Sequence, residues 1–171
     1  DNRRRVPEMA QIMREHRVSY LDITPATTAT YAFMSAGFTE IGEELNPDVN
    51  KKQYVNDSQE SATLRKYAPE YAFAFDRDSA DTVHAFIVGL AQARSVGAAA
   101  ETTLVDFLST DVDAVTGLVD CHRQPVIVSV TTTGGGAPGE ELTCSGSLIA
   151  NGDPVTGSFN TATDTFTADV S

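Results

Sequence analysis

The chain has no tryptophan, only two cysteines and three lysines, and no apolar run longer than the seven residues Ala85–Ala91. A bilayer-spanning helix needs about 20 consecutive apolar residues, so none is expected and no membrane is invoked. Two cysteines are too few to staple a small secreted scaffold, and they fit a reducing compartment. Basic charge is scarce as well: 12 Lys+Arg stand against 24 Asp+Glu, for a formal net charge of −12. Such a balance excludes a protein that grips nucleic acid or anionic lipid through a basic face. Arg3-Arg4-Arg5 imitates the basic start of a secretory signal, but Glu8, Arg14, Glu15 and Arg17 interrupt any apolar region behind it, so no signal peptide is expected.

The remainder is a 171-residue chain with 41% hydrophobic and 21% charged residues, near globular averages and sufficient for one packed core. Charge divides it unevenly. Residues 1–17 hold five arginines and three acids, net +2, whereas residues 18–171 hold seven basic against 21 acidic residues, net −14. This split marks residues 1–17 as a basic N-terminal arm and 18–171 as one domain. Within the arm, Pro7 suits a first helical position, and Met9, Ile12, Met13 and His16 share a helical face. The arm either lies on its own domain or docks on a neighbouring copy.

From Ser19 the pattern is β. Strands are expected at Tyr20–Thr24 and Phe38–Ile41, and a polar, aperiodic loop of about 20 residues over 42–61. Over 62–77, Tyr71, Phe73 and Phe75 fall on one face of a strand and Ala72 and Ala74 on the other, with Pro69 marking a bulge or sheet edge. One principal α-helix is expected over about 80–94. Ser79, or Asp78 with Asp81, caps it; Val83, Phe86, Ile87 and Leu90 form its apolar stripe, and Gly97 supplies positive φ beyond its end. Further strands are expected at Thr102–Leu108, Gln124–Thr133, Glu141–Ala150, Pro154–Phe159 and Thr165–Val170. A hairpin register placing Leu142 opposite Val130 and Cys144 opposite Val128 leaves Cys121 about 23 Å away, so no disulfide is expected. The expected fold class is mainly β, a β-sandwich or barrel with one helix.

Chemistry is sparse. Gly134–Gly139 is followed by a strand and lacks a lysine, so it reads as a hairpin loop, not a phosphate cradle. Asp111-Val112-Asp113 has its glycine, Gly117, one position late for a calcium loop and a valine, Val115, where an oxygen ligand belongs. His16, His84 and His122 share no ligand spacing with cysteines or carboxylates and are satisfied or exposed histidines. No catalytic residue, metal site or cofactor is expected.

Several segments in order are similar to the major tail tube proteins of long-tailed phages and related archaeal tailed viruses. They are Gly37-Phe38-Thr39-Glu40-Ile41 through Asn46-Pro47, Lys51-Lys52-Gln53-Tyr54-Val55-Asn56-Asp57, Lys66-Tyr67-Ala68-Pro69, Glu140–Gly146 and Gly152–Phe159. The resemblance implies a β-sandwich subunit that closes into a ring, taken as a hexamer, with rings stacked into a hollow tube in the virion. Implied partners are further copies of itself, the tape measure, tail terminator and distal tail proteins, and viral DNA that passes without specific binding. Synthesis in the host cytoplasm is implied too.

Candidate subunit-contact residues are Arg3, Arg4 and Arg5 in the arm, Lys51, Lys52, Tyr54, Asn56 and Asp57 in the loop, and Tyr67 and Pro69 after it. A long loop of water-compatible groups suits stacking, because it is soluble before assembly and pairable afterwards. Ring closure would pair sheet edges that are sticky on a free monomer. An anionic wall would let phosphates slide by. The rival reading is a monomeric β-sandwich binding or adhesion module.

Overall fold

The computed structural model describes residues 11–170. The candidates Arg3, Arg4 and Arg5, and the first part of the expected helical arm, lie outside the described residues. The rest of the arm forms no long helix: Arg14–His16 is a single 3-10 turn, and the first strand, β1, already begins at Arg17 and runs to Asp22. Ile12 and Met13 are exposed, so the apolar spacing near the start finds no core of its own among the described residues.

Ten further strands and one α-helix follow among the described residues: β2 Tyr31–Phe33, β3 Phe38–Glu44, β4 Asp48–Lys52, β5 Ser61–Lys66, β6 Glu70–Asp76, α1 Thr82–Gln92, β7 Glu101–Leu108, β8 Leu118–Gly135, β9 Thr143–Ala150, β10 Val155–Asn160 and β11 Thr165–Ala168. The protein is mainly β, with every strand pairing antiparallel, as its composition and alternation predict. Nine strands form one sheet in the order β2-β1-β7-β8-β9-β6-β3, with β10 and β11 branching from β8; β4 and β5 form a separate pair.

The branching results from the length of β8. Its 122–127 stretch pairs with β7 along one edge. Along the other edge, residues 118–123 pair with β10 and residues from 126 onward pair with β9. One strand therefore serves two half-sheets, and hydrophobic packing occurs on opposite faces. Leu21, Leu104, Val126 and Val128 face Phe73, Phe75, Cys144, Leu148 and the helix residues Val83, Ile87 and Val88. On the reverse face Val105, Phe107, Val119 and Cys121 meet Tyr31, Phe159 and the half-buried Tyr20. Tyr20 lies 4.7 Å from Phe159 and 5.8 Å from Phe107, ring centre to ring centre. Alternation within β7, with Leu104 one way and Val105 the other, is therefore inward on both sides.

Several local expectations change. The Thr/Ala-rich link after Pro25 holds β2, a three-residue strand too short for a periodicity to register. The 42–61 stretch is not an aperiodic loop: most of it is the hairpin β4–β5, and the expected single run over 62–77 divides at Pro69 into β5 and β6, which belong to different sheets. In β8–β9, Val128 stands opposite Leu148 and Val130 opposite Gly146. The expected register is thus four residues out; Leu142 is exposed outside β9, and Cys144 stands opposite Phe75 of β6. An even shift keeps each side chain on its face, which is why Cys144 is still fully buried. Gly146 accounts for the true register: a Cβ there would collide with the Ser129 carbonyl oxygen and approach Phe73 Cζ to 3.0 Å. Both cysteine thiols are free, as expected.

The helix is shorter at both ends than expected. Of the two capping alternatives the one with Asp81 holds: Asp81 is the N-cap, accepting from Val83 N at 2.8 Å and His84 N at 3.2 Å, and Asp78 accepts from Ala80 N just before it. At the other end Arg94, at φ +50, ends the helix in the left-handed region, and Gly97, at φ +60, takes the positive φ expected of it three residues farther on. Arg94 N donates to Ala91 O and Ser95 N to Leu90 O, the paired bonds of a Schellman motif. His84, expected to be satisfied or exposed, is buried against Phe75, ring centres 4.1 Å apart. Its Nδ1 accepts from Asp78 N at 3.0 Å, while Nε2 has no partner among the described residues.

Candidate assembly surface

The hairpin β4–β5 prolongs the β3–β6 pair past the end of the sheet. Asn46, at φ +43, and Pro47 end β3, and the two sides are clamped where Ala68 N donates to Leu45 O at 3.0 Å and Asn46 Nδ2 to Ala68 O at 3.3 Å. Beyond that clamp every residue of β5 is exposed. Val49 stands opposite Leu64, and the two aliphatic side chains share one face at nearly half exposure. At the tip Tyr54 is 66% exposed and Val55 wholly so. A two-stranded hairpin without a third strand or a packed face is marginal in water; this one presents its apolar groups to solvent. All three lysines of the chain, Lys51, Lys52 and Lys66, sit on it. Only one weak ion pair, Lys51 with Glu60 at 3.9 Å, engages them among the described residues.

The predicted contact residues thus separate into two groups. Lys51, Lys52, Tyr54, Asn56 and Asp57 occupy the outer half of the hairpin, and Asp57 N closes the tip turn on Tyr54 O at 2.9 Å. Tyr67 and Pro69 lie at its root, where they line a groove of about 460 Å³ with Leu45, Tyr71, Gln124 and Pro154. Its remaining wall is formed by His122, Gly152 and the carboxylates of Glu43, Asp106 and Asp153. Sequence spacing missed Leu45, Tyr71 and Pro154, because three separate elements bring them together.

Glu43, Asp106 and Tyr71 of this groove belong to a polar cluster that spacing also missed. Arg17 at the start of β1 reaches Glu43 on β3 and Asp106 on β7, bridging the two ends of the curled sheet. Burial works against its charge, but hydrogen bonds to Glu43 and Asp106 outweigh this and hold the guanidinium above its ordinary pKa. Burial, then the negative charges of Asp106 and Glu43, push the Tyr71 phenol upward, so it stays protonated and donates to Glu43 Oε1 at 3.4 Å. Arg14 adds a bond from Nη2 to Ile41 O at 2.6 Å. The turn before β1 is thereby tied to the sheet beside the hairpin root. Among the described residues no group of three or more His, Cys, Asp or Glu has the arrangement of a metal site.

The outer face of the β3-β6-β9 half-sheet is a second extended surface. Register places Glu40, Gly42 and Glu44 of β3 beside Ala74, Ala72 and Glu70 of β6, with Ser145, Ser147 and Ile149 of β9 beyond them. Apart from the exposed Ile149 these side chains are small or acidic, and none of the positions is basic. The alternate positions of β6, Tyr71, Phe73 and Phe75, are buried on the other side, as predicted. Strands β2, β3 and β11 each pair along one edge only among the described residues, leaving sheet borders open.

No family model and no curated protein matches this sequence. Among solved structures, the fold is similar to a chain from the tail of an empty GTA particle, determined by helical refinement with C6 symmetry. The TM-score is 0.57 at 13% identity, over 92% of this chain and 100% of that one. At that identity the likeness is one of fold alone.

Proposed function

We propose that this protein is a structural, non-enzymatic subunit that joins copies of itself into rings of six, stacked as the hollow tail tube of a virion. The observation that carries this reading is the hairpin β4–β5, an ordered element whose apolar and lysine side chains meet solvent instead of a core. Burial against another copy supplies the packing it lacks. The fold shared with a C6-symmetric tail chain supports the ring and the stack. Edge strands β2, β3 and β11 supply further joints, since edge pairing between copies removes exposed ladder groups.

In this reading the outer face bearing Glu40, Glu44 and Glu70 lines the lumen. Carboxylates among small side chains repel phosphate within a Debye length of about 8 Å and hold no base, so DNA passes without being gripped. Tape measure, terminator and distal tail proteins are the further partners, Arg3, Arg4 and Arg5 are inter-subunit contacts, and synthesis takes place in the host cytoplasm.

Negative-stain microscopy and sedimentation of the purified protein over a range of concentrations test the proposal. Rings or tubes are expected. A monomer that persists at high concentration, with a ligand-sized cleft, would favour the rival binding module.

A further inference from the structure

We infer that Asn151 is a site of spontaneous covalent modification: its side-chain amide closes on Gly152 N to a succinimide, which water opens to aspartate or isoaspartate. Asn151-Gly152 is the one asparagine–glycine pair in the chain, and it lies in the turn between β9 and β10 with both residues exposed. Ring closure asks two things of the residue after an asparagine: a nitrogen not held in a hydrogen bond, and no side chain in its path. Gly152 meets both. Among the described residues its N–H donates to no protein group, and a Cβ placed on it would meet nothing nearer than Pro125 Cγ at 4.0 Å.

The other described asparagines fail one requirement or both. Asn46 precedes Pro47, which has no N–H. Asp57 N, after Asn56, donates to Tyr54 O at 2.9 Å, and Thr161 N, after Asn160, donates to Gly117 O at 3.0 Å. Asn50 is followed by Lys51 within the paired strand β4.

In the closing step Gly152 N loses its proton to solvent and bonds to Asn151 Cγ, the Cγ–Nδ2 bond breaks, and the amide nitrogen takes up a proton and leaves as ammonia. Water then adds to the ring. Attack at Cγ restores the ordinary main chain with an aspartate, whereas attack at the main-chain carbonyl carbon routes the chain through Cβ and Cγ, one carbon longer. The longer product disturbs a buried group. Gly152 O accepts from Gln124 Nε2 at 2.8 Å, and the same Nε2 donates to Pro125 O at 3.1 Å; Gln124 is 7% exposed. On the near side of the site, Asn151 N donates to Pro125 O at 2.8 Å. A carbon inserted between these two anchors moves Gly152 O off Gln124 and leaves a buried amide N–H short of an acceptor. Aspartate adds only a charge at an exposed position.

The test is to incubate the purified protein in mildly alkaline buffer and map its peptides over time, separating isoaspartate from aspartate by electron-transfer fragmentation. Conversion at Asn151 is expected to be at least about tenfold faster than at Asn50, Asn56 or Asn160, and Asn151→Gln to abolish it. An Asn151 that stays an amide, or converts no faster than the other three, overturns the site. Urea midpoints read the consequence: the isoaspartate fraction is expected to unfold at a lower midpoint than fresh protein, and Asn151→Asp at the same midpoint as fresh protein. An isoaspartate fraction as stable as fresh protein, or an Asn151→Asp variant destabilised to the same extent, overturns the role given to the Gln124 anchor.

Discussion

Arg94 and Cys121 show how single residues carry the cost of this architecture. Arg94 holds the left-handed position that ends α1, where a Cβ is penalised and glycine is not. Arg94→Gly is expected to raise stability by about 0.5 kcal/mol, readable as a higher urea midpoint, because relief of the left-handed strain exceeds the added chain entropy. Burial first, then the charges of Asp106 and Asp120, push the Cys121 thiol up to about 11 from 9.0. Between those values the folded chain keeps a proton that the unfolded chain releases, so stability falls as pH rises from 9 to 11. Cys144, Tyr20 and Tyr71 shift in the same direction, mainly through burial. Urea midpoints measured at about pH 8.5 and about pH 10.5 are expected to decline, and Cys121→Ala to make the decline shallower. A Cys121→Ala profile as steep as wild type would refute the assignment.

Among the elements, the hairpin is both the most exposed and the most separable. Leu45 O and Ala68 N meet at 3.0 Å, so the ends of segment 46–67 are already joined by a hydrogen bond before the projection begins. Replacing 46–67 by a two-residue Gly linker is expected to leave the thermal midpoint within a few degrees, because no core residue is removed. The same variant is expected to lose stacking, as judged by sedimentation. The helix and β6 were legible in the sequence because each buries one face with an unbroken period. The hairpin was not, because neither of its faces is buried within the chain; without a buried face, alternation carries no apolar signal, and 42–61 reads as a polar loop. Likewise β2 has three residues, and the first third of β8, Leu118–Arg123, alternates into a core that β10 completes.

For the whole molecule, charge placement matters more than charge total. An acidic composition alone is equally consistent with simple solubility. The sheet register, however, places Glu40, Glu44 and Glu70 on one face with no basic neighbour in the three strands, while every lysine goes to the hairpin. If that face lines a passage, assembled Glu40→Lys, Glu70→Lys particles are expected to retain double-stranded DNA at low ionic strength in a gel-shift measurement, where wild-type particles do not. Equal mobility of DNA with both would remove the lumen assignment.

Local sequence was enough for the β class, the aromatic inner face of β6, the helix, the free cysteines and the acidic balance, since each depends on periodicity, spacing or composition. Other features existed only once the chain was packed: β8 serving two half-sheets, Arg17 bridging β3 and β7, and Tyr67 and Pro69 sharing a groove with Leu45, Tyr71 and Pro154. They join positions as far apart as Arg17 and Asp106, 89 residues along the chain. Their pairing is set by which burials can be satisfied simultaneously, a property of the packed chain and not of any window within it.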